Sequence, residues 1–102
     1  MRTIYKYPLE TTDLQSIKIP GLSYEDNFNF MTQFLCIDTQ RGYPCLWCLV
    51  DTEEKEREVL IRIIGTGNPA PDSVTRKDYL GTYQLFNGNF VGHVFLERDL
   101  GE

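Results

Sequence analysis

The chain has 102 residues, a length for one domain whose core needs no disulfide or metal, and no second catalytic domain is expected in it. With 41% hydrophobic, 25% charged and 13% aromatic residues it is globular rather than disordered. A net charge of −5 opposes non-specific nucleic-acid binding, and the 15 acidic residues are too scattered for a DNA mimic.

No apolar run approaches the roughly 20 residues that span a bilayer. The opening MRTIYKYPLE has no apolar core after its basic residue and is not a secretory signal. Cys36, Cys45 and Cys48 are odd in number and sit in apolar runs, which suits a reducing compartment. The expectation is a soluble intracellular protein.

Strand signals dominate in chain order. Thr3 to Tyr7 is β-branched and aromatic and stops at Pro8, and Leu14 to Ile19 alternates in part and stops at Pro20-Gly21. Thr11-Thr12-Asp13 reads as the turn between them. Leu22 to Asn29 has no clean period and reads as a loop, after which Phe30 to Asp38 reads as a strand. Gln40-Arg41-Gly42 joins it to Pro44 to Val50 in a hairpin, with Gly42 left-handed.

Asp51 to Glu58 mixes acids with Lys55 and Arg57, an exposed turn. Glu58 to Ile64 is almost wholly apolar and β-branched, as a strand covered on both faces is. A Gly/Pro loop follows, and Asp72 or Ser73 is placed to cap one helical turn through Lys77. Tyr79 to Phe86 and Asn89 to Glu97 flank Asn87-Gly88, the strongest hairpin signal in the chain. About seven short, mostly antiparallel strands in one all-β domain, residues 1–102, point to a sandwich or a partly open barrel.

Cys45 and Cys48 have redox-motif spacing, but in a strand residues three apart point to opposite faces, so the thiols diverge and core packing is the better reading. Three isolated cysteines and one histidine give no zinc set, and no metal or cofactor is expected. His93, the only histidine, shares a face with Val91 and Phe95; both faces of its strand are apolar, which favours a buried, hydrogen-bonded structural histidine over a catalytic base.

Gly65-Thr66-Gly67-Asn68 either offers backbone N–H groups to an anion or serves as a rigid connection. The following Pro69 and Pro71 remove donors, and no Lys-Ser/Thr ending makes it a phosphate loop. As a binding loop it would work with Arg76, Lys77, Tyr79 and His93. Trp47 on its hairpin is expected in the core, whereas Tyr24, Phe28 and Phe30, beside a loop, are candidates for a protein interface.

Lys6-Tyr7-Pro8-Leu9, Pro44 with Leu46-Trp47, Gly65-Thr66-Gly67 with Pro69, and His93-Val94-Phe95 together resemble, in order, a family of small phage and prophage proteins of unknown function. The likeness covers nearly the whole chain; Gly21 to Phe34 is longer than in that family. It implies a phage origin, and through it the cytoplasm of a bacterial host, but no chemistry.

The expected function is therefore drawn from class: a non-enzymatic counter-defence protein that binds stoichiometrically. In one version a small homo-oligomer sequesters a nucleotide second messenger of host immunity. In the other, the aromatic loop docks on a host defence protein such as a CRISPR effector. The rivals are a His93-dependent phosphodiesterase-like enzyme and a virion-associated structural protein.

Overall fold

Among the described residues, 1–21 and 33–97 of a computed structural model, seven strands form two antiparallel sheets. They are β1 (Arg2–Pro8), β2 (Leu14–Pro20), β3 (Phe34–Gln40), β4 (Tyr43–Asp51), β5 (Glu56–Gly65), β6 (Tyr79–Leu85) and β7 (Phe90–Glu97). One sheet has the order β1-β4-β3 and the other β2-β5-β7-β6. Tyr24, Phe28 and Phe30 lie outside the described residues, as does the start of the expected third strand.

Alternation fixes what each sheet buries. Leu46, Cys48 and Val50 of β4 meet Val59, Ile61 and Ile63 of β5 and Val94 and Leu96 of β7 in one core, the filling of a two-layer sandwich that is not closed into a barrel. Each such aliphatic side chain contributes about 1.5–3 kcal/mol on burial, so this alternation dominates the stability of the fold. On β5 the opposite face, Leu60, Arg62 and Ile64, is half-buried, in keeping with a strand covered on both sides.

Several local expectations change. Trp47 is not in the core: it is half-buried on the outer face of the three-stranded sheet, opposite Lys6, whose ammonium lies 5.8 Å from the indole centroid. Both faces of β4 are apolar in sequence, so composition does not choose between them. Cys48 faces inward, and burial pushes its thiol up to about 12; Cys45 points the other way yet is also buried.

The helical turn is a 3₁₀ turn at Arg76–Asp78 with Thr75 at its N-cap, not one capped by Asp72 or Ser73. Gly42 takes φ 85 with Arg41 at φ 55, giving a two-residue turn between β3 and β4.

One core group is poorly served by its surroundings. Tyr83, 3% exposed, lies between the sheets with its hydroxyl unpaired among the described residues. A buried hydroxyl without a partner costs about 1–3 kcal/mol. Tyr83→Phe is expected to raise stability by roughly 1 kcal/mol in urea titration. A loss of stability would show that the hydroxyl has a partner after all.

Candidate functional site

The loop after β5 is longer than a corner requires, and the topology says why. β5 and β6 each run antiparallel to β7, which lies between them, so they are parallel to one another. Parallel strands need a crossover of a dozen residues or more, and residues 66–78 provide it. The inner face of the sheet is filled by the core, so the crossover passes over the outer face, above β7.

The crossover is tied to β7 along its length. The Thr66 N–H donates to the Val91 carbonyl at 3.1 Å, and the Thr66 hydroxyl lies 2.6 Å from His93 Nε2. Further on, the Ser73 hydroxyl donates to Glu97 Oε2 at 3.5 Å. Between these ties an open cleft of about 610 Å³ is lined by Ala70, Val74, Thr75, Arg76, Tyr79, Thr82, His93 and Phe95. That volume is within the range of small-molecule sites.

His93 is half-buried rather than buried and faces away from the core. Its Nδ1 lies 3.0 Å from the Thr82 hydroxyl, which in turn lies 2.5 Å from the Tyr79 hydroxyl. The result is a continuous chain, Thr66, His93, Thr82, Tyr79. Hydroxyls both donate and accept, so rotating their hydrogens satisfies either imidazole tautomer and the imidazolium alike. The chain ends at Tyr79, which lines the cleft.

A β-bulge makes this arrangement possible. Thr82 pairs with His93, but the register shifts between Tyr79 and Gly81, so Tyr79 pairs with Phe95 and turns outward while Leu80 packs on the core. Tyr79 then meets Phe95 edge-on, ring centroids 5.5 Å apart. The same displacement brings the Tyr79 hydroxyl back to Thr82.

The expected ligand residues are thus split. Arg76, Tyr79 and His93 line the cleft, and Thr66 reaches it through His93. Gly65 and Asn68 instead line a second hollow of about 350 Å³ with Asp13, Arg62 and Pro71. Gly67 sits at the loop tip with φ 90, and Lys77 is exposed outside both hollows. The N–H groups of Thr66 and Asn68 are already engaged, the latter with the Gly65 carbonyl at 3.0 Å, so the loop is not an open anion cradle built from those two donors.

Thr75 and Thr82, absent from the sequence-based set, bring hydroxyls to the cleft. Thr82 was within reach of sequence reasoning: pairing outward from Asn87-Gly88 puts it opposite His93. Among the described residues no cluster of His, Cys, Asp and Glu could hold a metal, and no helix is long and apolar enough to cross a membrane.

No curated protein and no solved structure matches the chain. A family model described as a domain of unknown function, DUF7352, matches residues 1–102, and the chain belongs to that family.

Proposed function

We propose that the protein is a non-enzymatic, phage-encoded counter-defence protein that binds stoichiometrically, with the crossover cleft as the pocket for a nucleotide immune signal. The observation that carries this reading is the mixture of groups around one cleft. A nucleotide presents a planar base, sugar hydroxyls and a phosphate. Tyr79 and Phe95 offer aromatic surface to the base, Thr75, Thr82 and the His93 chain offer hydrogen bonds, and Arg76, exposed at the rim beside Lys77, offers a guanidinium to the phosphate. The phage origin rests on the resemblance of the sequence motifs, and the counter-defence role on class.

The test is native mass spectrometry of protein purified from infected host cells, then release and identification of the bound molecule. A nucleotide recovered chemically unchanged is expected. Arg76→Ala and Tyr79→Ala are each expected to weaken its binding about tenfold or more in calorimetry, the loss of one charge-assisted contact or one stacking surface. Unchanged affinity in Arg76→Ala would reject the phosphate assignment.

A second reading, a histidine-dependent hydrolase, is favoured by one distance: Thr66 Oγ1 to His93 Nε2 is 2.6 Å, the reach of a nucleophile and its base. Against it, Nδ1 faces Thr82 where a catalytic triad has a carboxylate. Product formed from the recovered nucleotide on prolonged incubation would favour the hydrolase. Docking on a defence protein through Tyr24, Phe28 and Phe30 stays as the other binding version, tested by pull-down with those residues replaced.

A further inference from the structure

The β3–β4 and β6–β7 turns meet around a hollow that shares no lining residue with the crossover cleft. Tyr43, 65% exposed, is the first residue of β4 after the β3–β4 turn, and the β6–β7 turn carries Phe86, 74% exposed. The hollow between them is about 340 Å³, and its apolar lining includes Leu9, Pro44 and Leu85. The expected strand through Phe86 stops at Leu85, and Phe86 begins the turn with φ 54.

The fold gives no reason for a phenylalanine there. A bulky side chain in the left-handed region is strained, and Gly, Asn or Asp sits in that conformation more readily. Phe86 also buries little of its ring within its own chain. Both facts are explained if the ring is buried against something else.

We propose that this patch is a two-fold interface between copies of the chain, in which each copy's Phe86 enters the other's hollow. A two-fold contact requires knob and hole on the same patch, and Phe86 and the hollow share one. The charges around it are also self-complementary. Glu10 lines the hollow and Arg41 stands in the turn beside Gly42; both are exposed, and neither makes an ion pair within its own chain among the described residues. Rotation by two-fold symmetry lets the acid of one copy meet the base of the other in both directions. The net charge of −5 on each copy opposes association at a distance, so these pairs set register rather than drive assembly. A patch this small makes a weak, reversible dimer.

Sedimentation of the full chain over a concentration series is expected to show the mass rising from 11.9 kDa towards twice that value. Phe86→Asn is expected to weaken association about 30-fold or more, the loss of a central aromatic anchor. Its urea midpoint should be unchanged or higher, because Asn tolerates the left-handed conformation. Glu10→Lys and Arg41→Glu should each weaken the dimer, and the double swap should restore it.

A chain that stays monomeric throughout overturns the proposal, as does a Phe86→Asn chain that associates like the wild type. A fall in the urea midpoint of Phe86→Asn would assign the ring to the fold instead. A monomer that captures a different protein through Phe86 would replace the second copy as occupant.

Discussion

Arg62→Ala is expected to lower the stability of the fold by about 3 kcal/mol, the usual loss when one partner of a buried ion pair is removed. In a domain of this size that is a fall in melting temperature of roughly 15 °C. Arg62 Nε donates to Glu97 Oε2 at 2.5 Å on the outer face of the four-stranded sheet, where the glutamate side chain is 1% exposed and the arginine 23%. The other carboxylate oxygen, Oε1, is buried without a partner among the described residues. Among the described residues, truncation at Arg62 therefore leaves the buried carboxylate with the 3.5 Å contact from Ser73 alone. Leaving such a charge unpaired outweighs any gain in side-chain entropy, which is at most about 2 kcal/mol for an arginine.

The pair itself is a different matter. Desolvation of both charges offsets most of their attraction, so an apolar pair of similar volume is often neutral or better. Arg62→Met with Glu97→Leu is expected to recover most of what Arg62→Ala loses, and the coupling is read from a double-mutant cycle in urea. A loss below about 1 kcal/mol in Arg62→Ala would mean that water reaches Glu97, and the buried-charge argument would fail.

The same pair explains how the site is held. Glu97 anchors Ser73 near the far end of the crossover, and His93 holds Thr66 at the near end. The cleft lies between two side-chain ties to one strand, β7, and its shape depends on both. Under the proposed function, binding in the cleft would be coupled to packing on the sheet through these two ties.

What could be read from the residues divides along physical lines. Strand positions were legible because alternation and turn chemistry are local: Asn87-Gly88 sets the β6–β7 register, and Arg41-Gly42 sets the β3–β4 hairpin. The order of strands was not, since β7 inserts between β5 and β6 through long-range pairing that no local pattern records. That insertion turns the Gly65 to Pro71 segment from a corner into a crossover. The outward turn of Tyr79 was hidden as well, because a straight strand puts Leu80, not Tyr79, on the face of Thr82, and only the bulge reverses them.

The second large effect is expected at Gly92. Tyr83 and Gly92 are paired across β6 and β7 on the inner face, and the tyrosine ring lies over the glycine. A Cβ at Gly92 would fall 2.6 Å from Tyr83 Cζ and 2.7 Å from its hydroxyl oxygen, far inside contact distance. Two effects oppose one another in Gly92→Ala. Replacing a strand glycine gains about 0.5–1 kcal/mol in chain entropy, while overpacking a filled core costs about 1–3 kcal/mol. The overlap involves Cζ, Cε1 and the hydroxyl oxygen of a rigid ring on a side chain only 3% exposed, so overpacking is expected to win, with a net loss of about 2 kcal/mol. Tyr83→Leu should relieve the clash, so the Gly92→Ala penalty should shrink by more than half in that background. An equal penalty in both backgrounds would place the strain elsewhere. His93 is the next residue of β7, so the backbone displaced by the clash carries the imidazole with it. Gly92→Ala should therefore weaken cleft binding even at temperatures where the protein stays folded, and Tyr83→Leu should restore that binding together with stability.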